Sequence, residues 1–150
     1  LAALHAALVA IADGLGVTMT TYQSNREGDI IAFLYDTAPE RDGYLINPAA
    51  MTRYSVPCRI ALADTRRPFV EMHFANTSAV GWQRGGPMTP VATGVAMGLR
   101  HYSYIGALFG LVAALDAGLV KHDFHGAALD GPPRARKERR PAKGREGKRP

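Results

Sequence analysis

The chain has 150 residues, enough for one domain, and 47% are hydrophobic, enough for a buried core. A single cysteine, Cys58, excludes an internal disulfide, and no apolar run reaches the roughly 18–20 residues of a membrane span. The net charge of +5 is uneven: Pro133–Pro150 carries nine Lys/Arg against two acids, a charge of +7, which leaves the preceding residues at −2.

The basic stretch is rich in Pro, Gly and charge and nearly empty of apolar residues. Residues 121–150 are therefore predicted to be a disordered tail behind a folded unit spanning 1–120. The tail has no interleaved aromatics, so nucleic-acid binding is not expected of it. Cysteine usage and the lack of a secretory pattern predict a cytoplasmic protein without membrane attachment.

Leu1, Leu4, Leu8, Ile11 and Leu15 recur at helical spacing, and Gly14 and Gly16 end that helix. Val17–Tyr22 is β-rich and predicts a strand. Ser24 and Glu27 have the spacing of a capping box for a helix through Ile30, Ile31 and Leu34 to about Pro39. Tyr44–Ile46 reads as a second strand, broken by Asn47-Pro48. A loop over 49–54 leads to a helix from Ser55 to about Asp64, with Pro57 in its tolerated first turn. Phe69–Phe74 reads as a third strand behind Pro68. A polar, glycine-bearing loop follows over 76–90, then a fourth strand over Val91–Leu99 and a helix from about Tyr102 to Leu119.

Strands alternating with helices predict a parallel sheet covered on both faces. Ligands bind such sheets beyond the carboxyl ends of the strands. Those ends carry Gln23-Ser24-Asn25, Asn47-Pro48 and His73-Phe74-Ala75-Asn76. Glu71 and His73, two apart on one strand, share a face, where a carboxylate can orient an imidazole or raise its pKa. His101, His122 and His125 lack the cysteines or spaced carboxylates of a metal centre, so no metal is expected. A doubly wound sheet normally opens on a strand, whereas this chain opens on a helix at a non-methionine Leu1. Together these predict a truncated piece of a longer protein.

Five ordered segments resemble one family, type II 3-dehydroquinate dehydratase. They are Gln23–Gly28 (family pattern Q-S-N-x-E-G), Ile46–Ala50 (I-N-P-G-A), Thr52–Ser55 (T-H-T-S), Val70–Asn76 (V-E-V-H-I-S-N) and Pro90–Val95 (P-V-A-x-G-V). The resemblance covers about Leu1 to Leu115. It implies a flavodoxin-like fold whose first, central strand is missing here, and a homododecamer built from trimers. It also implies a metal-free and cofactor-free hydro-lyase of aromatic amino acid biosynthesis, in the shikimate pathway. Such an enzyme removes water from 3-dehydroquinate by anti elimination through an enolate, giving 3-dehydroshikimate.

By the same resemblance His73 is the general acid for the leaving hydroxyl. Asn47 binds substrate, Phe74 and Ala75 offer backbone N–H groups to its carboxylate, and Arg84 matches the substrate-binding arginine of the loop. Arg53 stands where the family has a substrate-binding histidine. Glu71 and Asn25 support the site. Further departures are Ala49 for a glycine, Ile60 for an aspartate that reaches a neighbouring subunit, and Ala75 for a serine. The family's tyrosine base belongs to a lid that would precede Leu1; Tyr22, Tyr44 and Tyr54 are the conceivable substitutes. A second reading is a catalytically inactive or substrate-shifted paralogue that keeps the fold and the assembly.

Overall fold

Residues 69–73 form the central strand of a three-stranded parallel sheet, and its side chains alternate between two hydrophobic layers. The structure is a computed structural model that describes residues 1–79 and 86–118. In chain order its elements are α1 (Ala2–Gly14), α2 (Glu27–Thr37), β1 (Tyr44–Ile46), α3 (Val56–Asp64), β2 (Phe69–His73), β3 (Gly94–Met97) and α4 (Tyr102–Asp116). Short 3-10 turns lie at Ala38–Glu40, Ala49–Arg53 and Thr89–Val91.

The sheet order is β1-β2-β3. Tyr44 pairs with Phe69 and Ile46 with Glu71; Val70 pairs with Gly94 and His73 with Met97. All five residues of β2 are buried, as a central parallel strand requires. Val70 and Met72 face α1 and α4, packing with Leu8, Ala12, Leu108 and Leu111. Phe69 points the other way, into a cluster of Leu34, Tyr44, Ala61, Leu62 and Met88 under α2 and α3. Strand alternation therefore sends Glu71 and His73 to the α2–α3 side. Leu62 is 1% exposed there, and burying one such leucine contributes about 1.5–3 kcal/mol.

Sequence spacing gives the four helices and the second and third strands. Ser55 caps α3 as its position suggests, its hydroxyl accepting from the Cys58 N–H at 3.0 Å, with Pro57 in the first turn. Three expectations change. Val17–Tyr22 is not a strand: it runs without a sheet partner among the described residues, while Val17 and Met19 pack on the α1–α4 cluster. A strand needs a ladder, and β composition alone cannot supply one. The fourth strand shrinks to Gly94–Met97, because Thr89–Val91 coils into a 3-10 turn.

The capping box is also not made. The Ser24 hydroxyl donates to Asp29 at 2.7 Å and accepts from the Arg26 N–H at 3.0 Å. Glu27 instead accepts from the Ser55 hydroxyl, tying the starts of α2 and α3 together. No helix among the described residues is long and apolar enough to cross a membrane. The basic tail over 121–150 lies outside the described residues, as does the last part of the predicted final helix.

Candidate active site

The carboxyl ends of β1 and β2 bring together Asn47, Glu71, His73, Phe74 and Ala75. Glu71 is 1% exposed and His73 6% exposed. The His73 Nε2 lies 2.8 Å from Glu71 Oε1. Two hydroxyls complete the carboxylate's shell. Thr52 donates to Oε1, and Thr89 donates to Oε2 at 2.7 Å. A buried carboxylate needs such partners. Burial pushes the Glu71 carboxyl up, but the hydrogen bonds from His73, Thr52 and Thr89, with the imidazole's charge, outweigh it and hold the carboxyl below its ordinary value. Glu71 is thus a fixed anion that takes Nε2 of His73 and leaves Nδ1 for other chemistry.

Each threonine is placed by a turn. Thr52 sits in the 3-10 turn that begins beyond buried Pro48. Gly86 lies against that turn so closely that an added Cβ would collide with the Thr52 carbonyl, so only glycine fits. Thr89 opens the turn before β3. Neither threonine stands out in the sequence. Thr52 lies inside the matched T-x-x-S segment, but its hydroxyl carries no signal of its target.

Asn47 is exposed at the end of β1. Its Oδ1 accepts from the Ala49 N–H at 3.0 Å, and its Nδ2 donates to the hydroxyl of Tyr104 on α4. Ala49 has φ 48, the left-handed region that glycine adopts without strain. Phe74 and Ala75 are exposed in the bend beyond β2, and the Phe74 ring lies 4.9 Å from that of Tyr104 at 58°. Arg53, next to Thr52, is exposed at the end of its turn. Asn25 is exposed in the bend before α2. Arg84 lies outside the described residues.

The remaining groups have other duties. Tyr44 hydrogen-bonds Leu34 O at 3.3 Å and Thr37 Oγ1 at 3.0 Å within the α2–α3 layer. Tyr22 stacks on Phe33 at 4.3 Å, and Tyr54 is 63% exposed. Burial raises the Tyr104 hydroxyl, and its bond to Asn47 only partly offsets this, so it remains a phenol at neutral pH. Cys58 is fully buried; burial first, and then Glu27, pushes its thiol up to about 11, as befits core filler. Among the described residues no group of three His, Cys, Asp or Glu could hold a metal ion.

Comparison with known proteins gives a consistent answer. The family model "Dehydroquinase class II" matches residues 1–112. The chain is 39% identical over 105 residues to catabolic 3-dehydroquinase 1 of Aspergillus fumigatus, covering 69% of this chain and 70% of that protein. It is 36% identical over 116 residues to 3-dehydroquinate dehydratase of Roseiflexus castenholzii, covering 77% of this chain and 74% of that protein. The crystal structure of type II dehydroquinase from Propionibacterium acnes superposes with a TM-score of 0.68 at 27% identity, covering 73% of this chain and 82% of that one.

Proposed function

Because the chain belongs to the class II dehydroquinase family, we propose that it is a 3-dehydroquinate dehydratase, a hydro-lyase that converts 3-dehydroquinate to 3-dehydroshikimate. The observation that carries this reading is the buried Glu71–His73 pair at the carboxyl end of the central strand. Anti elimination needs a base for a ring proton beside the ketone and an acid for the departing hydroxyl. His73 is the acid. Glu71 takes Nε2, so the proton for the hydroxyl leaves from Nδ1, and the departing group is released as water rather than hydroxide. The hydroxyls of Tyr44 and Tyr104 are engaged by Leu34, Thr37 and Asn47, so the ring proton goes to the lid tyrosine that the resemblance implies, and His73 serves the second step alone.

Substrate binding falls to Asn47, Arg53, Arg84 and the backbone N–H groups of Phe74 and Ala75. Asn25 supports the loop before α2. Ala75 brings no hydroxyl to the substrate carboxylate, so its N–H must suffice there. The enzyme works without cofactor in the cytoplasm, as a trimer-based homododecamer.

The test is direct. The protein as its gene encodes it, mixed with 3-dehydroquinate, should raise the ultraviolet absorbance of the conjugated enone product. Folded protein that carries the lid tyrosine and produces no such absorbance would overturn the assignment.

A further inference from the structure

We propose that Tyr104 is a positioning residue of this site: its hydroxyl fixes the carboxamide of Asn47 and its ring props Phe74. This inference rests on the functional reading above, in which Asn47 and Phe74 meet the substrate. Neither the sequence motifs nor the resemblance singles Tyr104 out.

An asparagine at an exposed strand end, as Asn47 is, would ordinarily sample several rotamers, and its two amide ends look alike. Here the assignment is forced. The Ala49 N–H can only donate, so the atom facing it at 3.0 Å is the carbonyl end, Oδ1. The amino end, Nδ2, then faces Tyr104 and donates to its hydroxyl oxygen. Both ends of the carboxamide are held, which leaves one N–H and one lone pair to face a ligand.

Tyr104 is well placed to do this. It is 6% exposed on an α4 whose buried face is otherwise apolar but for Ser103, and a buried phenol needs a partner for its polar tip. Its ring lies 4.9 Å from that of Phe74 at 58°, a tilted contact that fixes the bend beyond β2. One side chain thus reaches the ends of two neighbouring strands. Register between β1 and β2 alone would not fix the Asn47 rotamer; the hydroxyl does.

The test compares wild type with Y104F, which keeps the ring and removes the hydroxyl. The Asn47 side-chain NH2 pair, followed in a 1H–15N spectrum of the full chain, should shift in Y104F while backbone resonances away from the site stay put. KM for 3-dehydroquinate should rise about fivefold, the scale of one neutral hydrogen bond, while kcat changes less than about twofold. In an N47A background, adding Y104F should leave KM unchanged. An unmoved Asn47 NH2 pair overturns the proposal, and so does a KM penalty of equal size in the N47A background. If wild type forms no enone, the functional reading fails, and the Asn47 resonances alone decide this inference.

Discussion

Glu71 Oε1 and His73 Nε2 meet at 2.8 Å on one face of a fully buried strand, and the carboxylate is further held by two threonine hydroxyls from separate turns. The imidazole therefore has one orientation and one nitrogen to spend on chemistry. The consequences divide between turnover and stability.

Turnover should depend on His73. His73→Asn keeps a polar group of similar reach but removes the proton donor. A positioned acid contributes about 10²–10⁴-fold, so kcat should fall by that order. The assay is the enone absorbance at saturating 3-dehydroquinate. A variant that retains wild-type kcat would remove His73 from the mechanism.

Acid should weaken the fold through Glu71. Its folded pKa is depressed, so its stabilising contribution is present above the unfolded carboxylate value, near 4.3, and is lost as pH falls through the folded value. Urea midpoints measured from pH 7 downwards should drop most steeply below about pH 5. Glu71→Gln should be less stable at pH 7 and should flatten that acid limb. An unchanged limb would mean that other carboxylates govern acid unfolding.

The threonine hydroxyls should act on the same carboxylate. Thr89→Val is close to isosteric and deletes the donor at 2.7 Å from Oε2. A hydrogen bond to a charged group is worth about 1.5–3 kcal/mol, and Thr89 is only partly buried, so a loss near the lower figure is expected in urea unfolding. The Glu71 carboxyl, followed by its 13C shift, should titrate higher in the variant. A carboxyl that titrates as in wild type would separate Thr89 from the pair.

Ala49 offers a gain rather than a loss. Its φ of 48 lies in the left-handed region, which costs a residue with a Cβ about 1–2 kcal/mol. Ala49→Gly removes that strain but adds about 0.5–1 kcal/mol of unfolded-state freedom. Relief of the strain outweighs the added freedom, so the variant should be more stable by about 0.5 kcal/mol, read as a raised urea midpoint. A lowered midpoint would show that the turn is not strained.

Much of this site is legible in the sequence, because it rests on short-range rules. Glu71 and His73 share a face through strand alternation, and Asn47-Pro48 marks a strand end in the residue types themselves. The roles of Thr89 and Tyr104 are not legible there. They reach Glu71 and Asn47 from other elements, and nothing in their own neighbourhood names the target. The capping box fails for a related reason: a local pattern competes with distant partners, and Ser55 captures Glu27. Val17–Tyr22 misleads because extended composition is local while a ladder is not.

That last segment has a practical consequence. Val17-Thr18-Met19-Thr20-Thr21-Tyr22 is uncharged, free of proline and glycine, and without a ladder among the described residues. Such a run is raw material for intermolecular cross-β stacking. Thr20→Lys should therefore slow thioflavin-positive aggregation of concentrated chain, and equal rates in the variant and wild type would clear this segment.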